Sequence, residues 1–242
     1  MARERRGLRG ARRAGAGLSE PAPLQRRARA ALAALAAAAA LAAPGAARAV
    51  DEHPLAPQLD VVVLPREVVA IDARGGQLAE RLERGERVLY AKQRGRVGVV
   101  VTDRRLLAVT ASSGAWQEAR YRNGESPPAD VALGDRVALV VTPLRAIGLD
   151  GKTGNLIEAS IGPNERVLDS AVGQNVAAVV SDRRALGVSA HRGGFFEVRL
   201  RLGERAQSLR ALADTVTLHT GARLLVFRGP TGTWEERRLP LR

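Results

Sequence analysis

The chain has no cysteine, a single methionine, and only two Trp, two Tyr and three Phe in 242 residues. Without cysteine there are no disulfides, thiolate metal sites, thiol nucleophiles or cysteine-borne lipid anchors, so the folded part is held by its core alone. The stretch after residue 49, about 190 residues, is large enough for such a core. The aromatics are too few and too regularly placed to form stacking platforms for single-stranded nucleic acid. Helical 3.6-residue periodicity persists nowhere after residue 50, which argues against a helical fold. The longest apolar run, Ala30–Ala43, is 14 residues, short of the roughly 20 that a membrane-spanning helix needs. The three histidines, His53, His191 and His219, form no i, i+4 pair and sit in no carboxylate cluster, so no metal is expected. There is no G-x-S-x-G nucleophile motif. Asp150-Gly-Lys-Thr-Gly154 has Ala146 where a phosphate loop needs glycine, and reads as a turn. Neither a catalytic centre nor a cofactor is expected.

The first 49 residues stand apart in composition. They hold ten arginines and two glutamates, then the Ala30–Ala43 run, a Pro44-Gly45 break and Ala47-Arg48-Ala49. A basic segment, a short apolar segment and small residues at −3 and −1 are the anatomy of a secretory signal peptide. Residues 1–49 are therefore expected to be a signal peptide cleaved near Ala49, leaving a secreted or periplasmic product at 50–242. Of the formal charge of +13, the leader carries +8, and the remaining +5 is spread among interspersed acids and bases. A modestly basic, mixed surface is that of a soluble protein, and no nucleic-acid partner is expected.

What the mature part does have is repetition. An apolar residue recurs at Val69, Leu107, Ile147, Leu186 and Leu225, with spacings of 38, 40, 39 and 39. Each is followed by a glycine (Gly76, Gly114, Gly154, Gly193, Gly232), a bulky apolar residue (Leu78, Trp116, Leu156, Phe195, Trp234) and a glutamate (Glu80, Glu118, Glu158, Glu197, Glu236). A period of this length means stacked or radially arranged units. Within each unit a hairpin is expected, with Arg145 opposite Glu158, Ile147 opposite Leu156 and Leu149 opposite Gly154. Arg105–Glu118, Arg184–Glu197 and Arg223–Glu236 repeat the arrangement. Alternation puts the arginine and its apolar neighbours on one face, where opposed charges and apolar pairs are favourable. Such pairs are either exposed and weak or wedged between units, where they set register. The first unit departs, with Glu67 facing Glu80 and Arg66 beside it. Valine-rich stretches at Leu59–Leu64, Val97–Thr102, Val137–Thr142, Val176–Ser181 and Thr215–Thr220 read as buried strands. Further extended stretches such as Val88–Lys92 and Val167–Ala171 precede four of them. Gly85-Glu86 and Gly203-Glu204 mark unit junctions.

Four strands in about 39 residues resemble the blades of β-propeller repeat proteins. The resemblance covers residues 50–242, rests on the repeat above, and lacks the signatures of WD repeats, so it names no subfamily. It implies an all-β fold, a five-bladed β-propeller with four-stranded antiparallel blades, in units of about 50–85, 86–124, 125–163, 164–203 and 204–242. Only residues 50–58 are left to supply the innermost strand of the first blade. An open stack, or a partial ring completed by a second copy, is the competing arrangement.

Fold alone selects no ligand. The leading expectation is an exported, non-enzymatic binding or scaffold protein whose partner is another envelope protein or an acidic ligand, with no membrane span in the mature chain. A multivalent, lectin-like carbohydrate binder is the alternative, although Trp116, Phe195 and Trp234 share a position that also accepts Leu and so read as packing between blades. A glycosidase-like enzyme is a third reading, with Asp130 and Asp169 on the inner strands as its carboxylates. The candidate binding residues are Arg66, Arg104 and Arg183. They lie in equivalent turns that a propeller gathers on one rim, where guanidinium groups suit carboxylates or phosphates. The bland alternative is local neutralisation by Asp103 and Asp182. Arg94 and Arg96 are expected on the opposite face.

Overall fold

The structure is a computed structural model that describes residues 58–238. The expected signal peptide, its cleavage position and His53 lie outside the described residues. Among those residues there is no α-helix; nineteen strands form five antiparallel sheets, each a meander of consecutive strands. Blade 1 holds β1 (Leu59–Val63), β2 (Glu67–Asp72) and β3 (Gln77–Arg81). Blade 2 holds β4 (Val88–Arg94), β5 (Val97–Thr102), β6 (Arg105–Thr110) and β7 (Gln117–Arg120). Blade 3 holds β8 (Ala132–Leu133), β9 (Val137–Val141), β10 (Arg145–Asp150) and β11 (Leu156–Ser160). Blade 4 holds β12 (Val167–Val172), β13 (Val176–Ser181), β14 (Arg184–Ser189) and β15 (Phe195–Arg199). Blade 5 holds β16 (Ser208–Ala211), β17 (Thr215–His219), β18 (Arg223–Arg228) and β19 (Thr233–Arg238). This is the five-bladed β-propeller architecture expected from the repeat.

Blades 2 to 4 bury both faces of their middle strands against their neighbours, which is why these strands are continuous apolar runs. Val97, Val99, Val101, Leu106 and Ala108 of blade 2 pack on Ala138, Val140, Ile147 and Leu149 of blade 3. Val137, Leu139 and Ala146 of blade 3 meet Ala177, Val179, Leu186 and Val188 of blade 4. Blades 4 and 5 meet through Val176, Ala178 and Val180 against Val216, Leu218, Leu225 and Phe227. Alternate residues of one strand thus serve two different junctions, the period-2 rule applied to a radial stack. The aromatic position packs between blades as expected. Trp116 donates its indole N–H to the Leu78 carbonyl of blade 1 at 2.9 Å, and Trp234 donates to Phe196 of blade 4 at 2.8 Å.

Two expectations are corrected. The hairpin register is shifted by two residues, with Ile147 opposite Glu158, Leu149 opposite Leu156 and Arg145 opposite Ser160. Arg105, Arg184 and Arg223 likewise face Arg120, Arg199 and Arg238. The cause is the turn. Gly154 adopts φ +79° inside it and donates its N–H to the Asp150 carbonyl at 2.7 Å, so the loop takes up residues assigned to the strand. In blades 2 to 5 a shift of two preserves alternation, so their side chains stay on the expected faces. In blade 1 the pairing is off by one, Glu67 standing opposite Arg81 and Glu80 opposite Val68, so Glu80 lies on the other face from Glu67. Secondly, blade 1 has three strands among the described residues rather than four. β1 stands where β5, β9, β13 and β17 stand in the other blades, and its inner edge carries no strand. A side chain of the next blade takes up part of that edge: Gln93 accepts the Val61 N–H at 3.0 Å and donates to Asp60 at 2.6 Å.

Candidate functional site

One rim of the array is built from the turns between second and third strands and from the connections between blades. In blades 2 to 5 each such turn opens on a hydroxyl residue and closes on an arginine. Thr142 accepts the Arg145 N–H at 3.2 Å and donates to the Arg145 carbonyl at 3.1 Å, which fixes the turn. Thr102, Ser181 and Thr220 repeat the arrangement. The arginine then lies in a fixed cage. Arg145 donates to Glu125 of the preceding connection at 2.9 Å, to Glu158 of its own blade at 2.6 Å and to the Arg120 carbonyl of blade 2 at 2.6 Å. Arg105 does the same with Glu86, Glu118 and the Arg81 carbonyl, and adds Glu80 of blade 1. Arg184 and Arg223 follow with Glu165, Glu197 and Ser160, and with Glu204, Glu236 and Arg199. Each clamp ties the turn of one blade to the last strand of the blade before it.

The connection glutamates are almost fully buried, with side chains of Glu86 and Glu125 0% exposed. Burial works against ionisation of Glu165, but hydrogen bonds from Arg184, Gly162 and Ser181 outweigh it and hold the carboxyl at about 2. Glu204 is drawn down to about 2 mainly by Arg223, against its own burial. For Glu86 and Glu125 burial again opposes, and Arg105 and Arg145 win, leaving both below the usual carboxylate range. Arg105 and Arg184 are correspondingly pushed up. These are ionised, saturated groups. Their work is structural.

Blade 1 breaks the pattern. Leu64 stands in place of the turn hydroxyl and Glu67 in place of the clamp arginine; the clamp is absent as expected, but Glu67 does not face Glu80, and Arg66 does not swing in to replace the arginine. In the strand register Glu67 stands opposite Arg81 without an ion pair between them, and Glu80 turns to Arg105 of blade 2. What remains is a cleft of about 910 Å³ lined by Pro65–Glu67 and Arg81–Glu86. Of its acids, Glu83 is taken by Arg104 and Arg120, and Glu86 by Arg105. Arg66, Arg81 and Arg84 are exposed, and among the described residues their guanidinium groups have no ion-pair partner. Three guanidinium groups against one carboxylate, Glu67, leave the lining of this cleft net basic. The corresponding cleft of blade 4 is smaller, about 370 Å³, and the clamp of Arg184 with Glu165 and Glu197 occupies its wall.

The three candidate arginines lie at equivalent turns of blades 1, 2 and 4 and differ in circumstance. Arg66 is in the cleft of blade 1 and Arg183 in that of blade 4. Arg104 is half spent on Glu83 at 3.2 Å. The aspartates beside them turn elsewhere: Asp103 binds Arg87, and Asp182 accepts the Arg166 N–H at 3.0 Å. Arg81 and Arg84 are not singled out by the repeat; they become visible once the missing clamp is noticed. The clamp glutamates Glu86, Glu125, Glu165 and Glu204 recur at the same period as the arginines, and that periodicity is the signal that would have found them.

Asp130 lies just before the inner strand β8 rather than on it and is bound by Lys92, whose hydrogen bond lowers its carboxyl; Asp169, on β12, accepts the N–H of Ser170 at 2.8 Å. His191 and Asn175 both meet Asp214 at 2.9 Å, a joint between blades 4 and 5. Arg94 lies on the rim opposite the clamps, 3.0 Å from the buried Asp135. Among the described residues, no three His, Asp or Glu side chains gather as a metal site, and no helix is long and apolar enough to cross a membrane.

The sequence matches the profile of the family described as "Outer membrane protein assembly factor BamB" over residues 32–231. No curated protein matches it significantly. Solved structures similar to it include human WBSCR16, at 13% identity and a TM-score of 0.38, covering 67% of this chain and 56% of that one. PorZ of the type-IX secretion system of Porphyromonas gingivalis aligns at 10% identity and a TM-score of 0.36, covering 76% of this chain and 26% of that one. Yeast RCC1 (Prp20), solved with Kap60, aligns at 7% identity and a TM-score of 0.36, over 67% and 52% of the two chains. The chain thus spans little more than half the length of WBSCR16 and RCC1, and about a quarter of PorZ.

Proposed function

Since the chain belongs to the family of the outer membrane protein assembly factor BamB, we propose that it is an exported, non-enzymatic scaffold that holds another envelope protein. The part of that partner it engages is an acidic segment, which lies in the cleft of blade 1 against Arg66, Arg81 and Arg84. The observation that carries this reading is the contrast on the rim. Wherever a clamp forms, the arginine is saturated, and at blade 1 alone among the described blades the clamp is missing and three guanidinium groups are free. Guanidinium groups converging from a turn and a strand end can bind carboxylates in a bidentate manner, with geometric as well as electrostatic selectivity. Arg104 and Arg183 extend the basic rim away from the cleft. The tying of Trp116 and Trp234 into the blade junctions supports the scaffold reading over the lectin-like one, since their ring faces and N–H groups serve packing.

The test is capture from a native envelope extract with the full chain as bait. The control bait carries Arg66→Ala, Arg81→Ala and Arg84→Ala together, and a second control carries Arg104→Ala and Arg183→Ala. One protein enriched by the wild-type bait, lost with the triple variant and displaced by an added polyglutamate peptide, is the expected result. Enrichment undiminished in the triple variant would reject the cleft. No specific enrichment would reject the scaffold reading itself.

A further inference from the structure

The end blades are buried differently from the inner ones. β5, β6, β10 and β13 are buried along their whole length. β2 and β18 alternate instead: Val68, Ala70, Leu225 and Phe227 are at most 1% exposed, while Val69, Ile71, Leu224 and Val226 between and beside them are half-buried. Strand parity says which faces these are. In blades 2 to 4 one set of alternate residues meets the preceding blade and the other set meets the following blade. Blade 1 leaves open the face that would meet a preceding blade, with Val62, Val69 and Ile71 at its centre. Blade 5 leaves open the face that would meet a following one, with Leu224 and Val226 at its centre. Among the described residues no apolar cluster joins these two faces within the chain.

We infer that the open face of blade 5 docks on the open face of blade 1 of a second copy of this chain, head to tail. The two faces are the unlike halves of one junction, and the chain already makes that junction four times. A partner blade built on the same repeat therefore fits by the same geometry, and a second copy supplies it. The charges agree. Asp60, Glu67 and Arg81 border the apolar centre of the blade 1 face, one negative charge in net, while Arg210, Arg237 and the Arg228–Glu235 pair border that of blade 5, two positive charges in net. Contact between unlike faces is heterologous, so it closes into a ring if the rotation permits and otherwise propagates. Apolar patches left at strand centres are a recognised mark of such surfaces. Glu67 and Arg81 belong to both the open face and the cleft, so a docked copy also narrows the cleft.

A heterologous contact has a signature that no symmetric face-to-face contact shares. Sedimentation velocity of the full chain over a hundredfold concentration range is expected to show self-association. Val69→Glu blocks one face and Leu224→Glu the other, so each variant alone is expected to sediment as a monomer. Mixed in equal amounts, they are expected to form a dimer, because each retains the half that the other has lost. Thermal unfolding of each variant shows whether it has folded; Ala79→Glu and Arg210→Glu, at exposed positions of the same two faces, replace any that has not. A wild-type chain that stays monomeric throughout overturns the inference. So does association that survives both variants, and so does a mixture that remains monomeric. These readouts use purified chain only, so they are independent of partner capture at the cleft.

Discussion

Blade 1 and blade 4 are built from the same repeat, yet one ends in an open basic cleft and the other in a saturated ion cage. In blade 4 the order Ser181, Asp182, Arg183, Arg184 places a hydroxyl and a guanidinium three residues apart. The turn then closes on Glu165, Glu197 and the Ser160 carbonyl. In blade 1 the order Leu64, Pro65, Arg66, Glu67 offers neither hydroxyl nor guanidinium at those places, and the cleft follows. Basic residues are abundant on the whole rim. What distinguishes a binding surface from a structural one here is whether the charges have already found each other.

The largest expected effect comes from acid, which tests the clamps together. A carboxyl held below its unfolded value contributes stability that is fully present above the unfolded pKa and is lost as pH falls through the folded one. For Glu165 and Glu204 that window runs from 4.5 down to about 2. Full loss is on the order of 3 kcal/mol for each. Glu86 and Glu125 are lowered in the same direction and add to it. Chemical denaturation at pH 6, 4 and 3 should show stability falling steeply below pH 4.5. A flat profile would mean that the cages contribute nothing net.

Breaking one clamp comes next. Arg145→Ala leaves Glu125 buried without its counterion and should cost about 3–5 kcal/mol in urea unfolding. The matching change in the open blade, Glu67→Ala, removes a carboxylate that satisfies no buried group and should stay within about 0.5 kcal/mol. Equal costs at the two positions would erase the distinction between the blades.

Much of this fold is legible in the sequence, and the reason is alternation. Val97, Val99 and Val101 face one neighbour and the residues between them, such as Val100, face another whatever the register, so the faces survive a two-residue shift in pairing. In blade 3 the shift comes from a backbone property: Gly154 at positive φ belongs to the turn, and composition does not reveal where a glycine takes that conformation. Arg105, Arg145, Arg184 and Arg223 are visible as a periodic set, but the hairpin pattern assigns each of them a single glutamate. The second glutamate, from the connection, lies 19 or 20 residues earlier in sequence, a separation that no strand or helix rule reaches. The cleft is half legible. Arg66 is marked by its turn, whereas Arg81 and Arg84 belong to a strand end and a connection that only the fold brings to it.

A smaller effect is expected where backbones rather than charges meet. A Cβ on Gly173 would lie 1.6 Å from the Leu212 carbonyl oxygen across the junction of blades 4 and 5, and backbone cannot yield as a side-chain tip can. Gly173→Ala should therefore cost about 1–3 kcal/mol, the range for forced overpacking. Gly114, in a turn with open space around it, serves as the control.

The smallest effect on stability is expected where the effect on binding is largest. Arg66, Arg81 and Arg84 are exposed and unpaired, so replacing all three with Ala removes no buried contact and relieves some like-charge repulsion within one cleft. Stability should move by no more than about 0.5 kcal/mol for each. Binding of an acidic peptide, by contrast, should fall with the triple variant and should weaken with added salt in the wild type, as screening at the ~8–10 Å scale requires for exposed charges. Clamp variants should show the reverse: lost stability, with binding at the cleft retained as long as the chain is folded. A triple variant that unfolds more easily than wild type would show that the cleft arginines are structural after all, and the contrast between the first blade and the fourth would then be one of degree.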